Sequence, residues 1–393
     1  MKKKTLRFAA FTLALVMLPG CGKGRTPAEP TTVNQAMLLE QSAKEQTEYE
    51  GGIMESVTIK DISQKAGVSP ATVSRVLNNP SIVNPATREK VERIMNELHY
   101  VPSAVARNLS KSSSTIIGAI VADISNPFLS QLLKGVLTVC DREGYMLICM
   151  DNSDNMNSDF RALNAMREQR VAGLIYAPAV DYSYYSKTEK LKHFIDALCA
   201  PVVLVDRKVC WDEIPFDGVF FNDYEAIKKA VHALAASGHR RIALINSDEK
   251  NALSDNRLCA YLDGIREAGL EADQELIYAK GAYSLESGYR QAKELLRSKS
   301  RPTAVITCNN LLSQGFMKAA SEAKVTAEQI THIGLDNLEM TETLGIKYNH
   351  IERDPGLMGE KAAEMLFWRM AHPRGAKQAL LLDAPLVLQT NTI

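Results

Sequence analysis

Thr58-Ile59-Lys60-Asp61-Ile62-Ser63-Gln64-Lys65-Ala66-Gly67-Val68-Ser69-Pro70-Ala71-Thr72-Val73-Ser74-Arg75-Val76-Leu77-Asn78 carries two helix starts, a turn and a stop. The Thr58 hydroxyl, followed three residues later by the Asp61 carboxylate, suits the free amides of a first helical turn. That helix should run to about Lys65, and Gly67 can take the positive φ of a tight turn without steric cost. Ser69 then caps a second helix whose first residue, Pro70, lacks the amide that would go unpaired there. Val73, Val76 and Leu77 fall on one face, toward Ile62 and Ala66, and leave Ala71, Thr72, Ser74 and Arg75 outward. The second helix stops at Asn78-Asn79-Pro80, and a third begins at Asn84-Pro85 with Val91, Ile94, Met95 and Leu98 at core spacing.

Two short helices joined by a glycine turn, the second opening on small polar residues and an arginine, form the helix-turn-helix that lays its second helix in a DNA major groove. Arg75 is the residue able to make a bidentate bond to guanine, worth about 1–3 kcal/mol of base discrimination. The whole chain carries 46 basic and 46 acidic residues and offers DNA or membrane no general attraction. From Met54 to Ser114, however, eight basic residues face five acidic ones, a local basic patch.

The quoted stretch resembles the signature of the lactose/galactose repressor family. The resemblance implies that Pro70, Ala71 and Arg75 sit where the family reads bases, and Ser69, Thr72 and Ser74 where it touches phosphates, with Thr58 among the DNA-contacting positions. Pro70 and Ala71 have no side-chain donor, so Arg75 carries most of the direct readout. Pro102-Ser103-Ala104-Val105-Ala106-Arg107-Asn108-Leu109 resembles the family's hinge helix. By that resemblance Ala106 and Leu109 enter the minor groove, with Leu109 as a wedge that bends DNA. A helix this short is marginal alone in water, so it should order on operator DNA.

After Ser114 the pattern changes to strand-like apolar runs at 116–121, 146–150, 173–176, 202–205, 218–221, 242–245, 304–307 and 331–335. Helical patterns lie between them, among others at 129–142, 225–236, 256–268, 287–296 and 313–323. Nearly continuous apolar strands alternating with helices imply parallel sheets covered on both faces. There are too many units for one sheet, so two α/β lobes with a cleft between them are expected. The expected fold is therefore a small all-α helix-turn-helix domain followed by an α/β, two-lobed, periplasmic-binding-protein-like effector domain.

Resemblance to the family's effector domain rests on Asp123-Ile124-Ser125-Asn126-Pro127-Phe128, Val205-Asp206-Arg207, Gly238-His239-Arg240-Arg241, Arg257, Ser287-Gly288-Tyr289 and Ile333-Gly334-Leu335-Asp336-Asn337. Asn126, Phe128, Asp206, Arg257, Asn309 and Asp336 fall at or near the carboxyl ends of the expected strands, where open α/β sheets bind ligands. They combine carboxylate and amide acceptors, a forked arginine and an aromatic face, as a sugar site requires. In the family the matching Arg and Asp contact the effector. Three positions depart from the pattern: Asn310 where the family has Asp, Ala172 where it has Asp, and Gln389 near its Arg. A homodimer on a palindromic operator is expected, with a sugar-like small molecule as effector and no cofactor.

The amino terminus points elsewhere. Lys2, Lys3, Lys4 and Arg7 precede an apolar run at 8–18 and then Leu18-Pro19-Gly20-Cys21, the layout of a secretory signal with Cys21 as a lipidation candidate. Residues 23–53 are rich in Pro, Thr, Glu and Gln, in the manner of a linker. The competing reading is thus an exported, lipid-anchored solute-binding protein, which leaves residues 58–109 without a purpose. Glu50-Gly51-Gly52-Ile53 can be encoded as a purine-rich ribosome-binding sequence ahead of Met54, which would make 1–53 upstream sequence read in frame. The expected organisation is 1–53 signal-like and linker, 54–101 DNA-binding, 102–113 hinge, and 114–393 effector domain.

The seven cysteines are scattered, with no metal-ligand or redox-pair spacing, and read as small core residues. No phosphate-cradling glycine loop, paired zinc histidines or nucleophile elbow occurs. His232 and His239 read as surface and turn residues. An enzyme is not expected.

Overall fold

The computed structural model describes residues 57–100, 114–208, 216–249 and 252–389. Expectations for Cys21, Met54, Ala106 and Leu109 lie outside these residues. The chain divides into two compact units, meeting in sequence between Pro102 and Ser103.

The first unit holds α1 (Ile59–Ala66), α2 (Pro70–Asn78) and α3 (Pro85–Glu97). Thr58 donates its backbone N–H and its hydroxyl to the Asp61 carboxylate at 2.8 and 2.7 Å, closing the expected capping box. Gly67 ends α1 at φ +61°, a conformation in which a side chain would be strained. The Ser69 hydroxyl accepts from the Thr72 amide at 3.1 Å, and Pro70 opens α2. Helices of this length are marginal alone and hold together through a shared core of Ile62, Ala66, Val73, Val76, Val91 and Ile94. Leu77, expected inward, is half-buried against that core. A 3₁₀ turn, Pro80–Ile82, follows α2 where the sequence marked only a stop.

The second unit is built on two six-stranded sheets. The first sheet collects β1 (Ile116–Val121), β2 (Met146–Asp151), β3 (Gly173–Tyr176), β4 (Val202–Val205), β5 (Asp217–Phe221) and, from late in the chain, β11 (Ala379–Leu382). The second collects β6 (Ile242–Asn246), β7 (Ile277–Ala279), β8 (Ala304–Thr307), β9 (Thr331–Leu335), β10 (Asn349–Ile351) and β12 (Leu386–Val387). Their strand orders, 2-1-3-4-5-11 and 7-6-8-9-10-12, are the same topology repeated. All pairings are parallel except β12 on β10, so crossover helices cover the faces.

In the first lobe those helices are α4 (Pro127–Glu143), α5 (Met156–Glu168) and α6 (Thr188–Asp196). The second lobe uses α7 (Asp223–Ala236), α8 (Ala252–Glu267), α9 (Leu285–Arg297), α10 (Asn310–Glu322) and the short α11 (Glu339–Thr343). Helix α12 (Pro355–Ala371) returns to pack on α4 and on β3 to β5. The chain therefore passes between lobes three times, at Asn222, at 352–354 and at 383–385. A fully buried Ile or Leu, such as Ile117, Leu174, Ile245 or Leu335, stabilises its lobe by about 1.5–3 kcal/mol.

Each lobe also contains a helix crossing to which both helices contribute a glycine. In the first, a side chain at Gly135 would meet the Gly356 carbonyl of α12, and one at Gly359 the Leu132 carbonyl of α4. In the second, Gly288 and Gly315 bring α9 and α10 equally close. Strands β7, β10, β11 and β12 and helices α5, α6, α11 and α12 were not placed by the sequence patterns. Strand β7 has three residues and β12 two, too few to show a period, and α12 is apolar well around its circumference.

Candidate functional site

In the first unit, Ser69, Pro70, Ala71 and Arg75 are exposed and Thr72 and Ser74 half-exposed along α2. The spacing 70/71, 74/75, 78 puts one row on the outer face, opposite buried Val73 and Val76. The hydroxyls of Ser69 and Thr72 lie 2.9 Å apart, and Ser74 accepts from the Asn78 amide at 3.3 Å. Thr58 is exposed at the start of α1, its hydroxyl bound to Asp61. Arg75 makes no ion pair among the described residues, so its guanidinium is available to a partner.

In the second unit the cleft between the lobes lies at the carboxyl ends of both sheets, beside the reversals of strand order at β1/β3 and β6/β8. Asp206 follows β4 and Asp336 follows β9, equivalent strands of the repeated topology. Both adopt left-handed backbone, φ +60° and +78°, which Asp tolerates and which recurs at functional sites. Asn126 caps α4, accepting from the Phe128 amide at 3.0 Å, and Asn309 caps α10, accepting from the Leu312 amide at 2.8 Å. Asn126, Phe128, Asp206, Arg257, Asn309 and Asp336, the six residues singled out in the sequence, all line one cavity of about 70 Å³.

The residue at the centre was not singled out. Arg353, in the second crossover, donates Nε and Nη2 to the two Asp336 oxygens at 2.6 and 2.9 Å. Its Nη1 lies 3.3 Å from Asp223 and 3.5 Å from Asp206, and its plane is 4.5 Å from the Phe128 ring centre. Arg257 is 1% exposed and lies in the second turn of α8, which starts earlier than expected. Its Nε and Nη2 both donate to Asp223, at 2.9 and 2.6 Å, and Nη1 donates to the Cys308 carbonyl at 2.8 Å. Its fork is thus engaged within the protein rather than open to the cleft.

Burial alone would raise the Asp223 carboxyl, but Arg353 and Arg257 beside it hold it below the ordinary carboxylate range. Burial works against the charges of Arg353 and Arg257, and the adjoining carboxylates more than offset it. Arg207 pairs with Asp154 and donates to the Ala179 carbonyl at 3.1 Å, while its buried Nε has no hydrogen-bond partner among the described residues.

Across the cleft the Asn310 amide donates to Asn126 Oδ1 at 2.7 Å, and Gln131 donates to Glu339. The departure at Asn310 thus supplies a lobe-to-lobe bond that an Asp could not donate. Gln389 accepts from the Tyr348 amide and Ala172 donates to the Ile116 carbonyl, both away from the cleft centre. Asp223 carried a legible signal, an acid at the first helical position past the apolar β5, whereas Arg353 sits in a charged Glu352-Arg353-Asp354 run after a β10 of only Asn349, His350 and Ile351. Among the described residues no group of three or more His, Cys, Asp or Glu could hold a metal ion, and no helix is long and apolar enough to cross a membrane.

Residues 58–103 match the family described as bacterial regulatory proteins, lacI family. Residues 114–387 match the periplasmic binding proteins and sugar binding domain of the LacI family. The chain is 29% identical over 340 residues to the HTH-type transcriptional repressor PurR of Vibrio atlanticus, covering 86% of this chain and 98% of the relative. It is 30% identical to the ribose operon repressor of Haemophilus influenzae, covering 84% and 97%. Among solved structures, the Lac repressor dimer bound to operator and the anti-inducer ONPF superposes with a TM-score of 0.74 at 26% identity, over 86% of this chain and all of that one.

Proposed function

The chain belongs to the LacI family of bacterial regulatory proteins, and from that premise we propose that a homodimer reads a palindromic operator through α2 and answers to a small molecule seated between its lobes. It is a sequence-specific DNA-binding transcriptional regulator, as its repressor relatives are. The observation that carries this reading is the capped, glycine-turned α1–α2 pair with Arg75 exposed on its outer face. Nothing in an exported solute-binding protein would require that face, and the match over residues 58–103 gives the lipoprotein alternative no support.

In this reading Arg75 forks onto a guanine, Pro70 and Ala71 make apolar base contacts, and Ser69, Thr72 and Ser74 position the helix on phosphates. Thr58 fixes the end of α1 against the backbone. Residues 54–101 form the DNA-binding domain, 102–113 the hinge with Ala106 and Leu109 in the minor groove, and 114–393 the effector domain. The protein acts in the cytoplasm, where its operator is. The effector is sugar-like, bounded by Asn126, Phe128, Asp206, Arg257, Asn309 and Asp336. Effector binding favours one lobe angle, which resets the spacing of the paired hinges and so the stability of the operator complex.

Nuclease footprinting of the full chain on genomic fragments tests the proposal. One short, two-fold symmetric protected segment per site, with half-sites about one helical turn or a multiple apart, is expected. Protection without symmetry or sequence preference would overturn it.

A further inference from the structure

The cleft centre is occupied by the protein's own guanidinium. Arg353 is 4% exposed and is met by three carboxylates from three segments: Asp206 after β4, Asp223 at the first crossover and Asp336 after β9. Phe128 lies beneath it and Phe221 stands 5.5 Å away. An aromatic face under convergent carboxylates is the arrangement that recognises an organic cation.

Charge pairing gives a second, independent observation. Arg207 is matched by Asp154, Arg257 by Asp223 and Arg353 by Asp336, at the closest contacts in each case. Asp206 is left sharing Arg353 at 3.5 Å and Arg207 at 3.9 Å. The cleft therefore holds more negative than positive charge, which disfavours a phosphorylated or carboxylate effector. If Arg353 swung out, Asp336 and Asp206 would face a buried space that a neutral polyol cannot neutralise.

There is room for such an exchange. Arg353 is a wall of the central cavity and of two flanking ones of about 170 and 520 Å³. It also belongs to the segment 352–354 that links the lobes, so leaving its seat moves a hinge strand.

Resting on the reading of this cleft as the effector site, we propose that the effector carries a cationic nitrogen, as an amino sugar does, which takes the seat of Arg353 between Asp336, Asp206 and Phe128. The unpartnered Arg207 Nε then meets an oxygen of the same molecule. Arg353 is the internal occupant when the effector is absent, and exchange of the two couples occupancy to lobe angle.

The test is calorimetric titration of the full-length wild-type, Arg353→Gln and Phe128→Leu chains with glucosamine, glucose and glucose 6-phosphate, together with methylguanidinium and thermal melts of each. Glucosamine should bind the wild type in preference to the other two sugars and bind Arg353→Gln about tenfold more tightly, because the internal competitor is gone. Methylguanidinium should raise the melting temperature of Arg353→Gln and leave the wild type unchanged. Phe128→Leu should weaken glucosamine binding, which keeps the test decisive if Arg353→Gln does not fold. Binding of glucose or glucose 6-phosphate at least as tight as that of glucosamine would overturn the inference and leave the effector site standing. Binding of no probe to any variant would count against both.

Discussion

Arg369 and Asp217 form a fully buried pair, bonded through Nε and Nη2 at 2.7 Å each, with the remaining guanidinium protons on the carbonyls of His372, Gly375 and Ala376. Arg369→Ala would strand a carboxylate that is 0% exposed, with Lys377 the nearest other cation at 3.7 Å, and should cost about 3–5 kcal/mol in urea unfolding. Burial lowers the His332 imidazole to about 3, so below its ordinary 6.5 the unfolded chain takes a proton that the folded one refuses. Stability should therefore fall as pH drops from about 6.5 toward 3, by up to about 1.4 kcal/mol per pH unit from this residue. His239, also lowered by burial, adds with the same sign. His332→Gln keeps a partner for Thr307 and should flatten the slope in melts run between pH 7 and 4.5; an unchanged slope would show that the ring is not held neutral. At this scale the sequence exposed Asp206, Phe128 and Asp336, because each follows a strand whose apolar run is plain. It hid Arg353, which follows the three-residue β10 and precedes a helix without a clear apolar stripe.

The helix-turn-helix was legible to within a residue or two because capping chemistry marks both ends of α1 and α2. Eight of the twelve strands among the described residues were legible for a related reason: buried parallel strands are dense in Val, Ile and Leu. Helix α12 escaped because it is apolar well around its circumference, although Asp354 followed by Pro355 is a helix start, with the Asp354 carboxylate accepting from the Leu357 amide at 2.9 Å. Gly356 and Gly359 lie within it. Those glycines set the depth of the α4–α12 contact. Gly359→Ala should push the helices apart and cost about 1–3 kcal/mol by overpacking, read as a lower thermal midpoint. An unchanged midpoint would mean that the crossing relaxes freely. Gly144→Ala, whose added methyl meets nothing, separates packing from backbone strain, since its φ of +74° costs something by itself.

For the molecule as a whole, two copies of one topology joined by three crossovers give a sensor whose lobes, among the described residues, share polar bonds from Asn310 to Asn126, from Gln131 to Glu339, and from Arg353 to Asp206 and Asp336. Polar bonds of this kind can be exchanged for bonds to a ligand, as a switch needs. The two-lobed architecture was readable from the count of β–α units, but the state of its cleft was not, because pairing among Arg353, Asp206, Asp223 and Asp336 depends on loops brought together from distant parts of the chain. The most direct measurement of the central claim is the affinity of the full chain and of Arg75→Ala for a selected operator and for a scrambled duplex of the same composition, at two salt concentrations. Wild type should prefer the operator by at least about 10³-fold, and Arg75→Ala should lose about 1–3 kcal/mol on the operator and little on the scrambled duplex. Equal loss on both duplexes, or no operator preference in the wild type, would contradict a sequence-reading role for this helix.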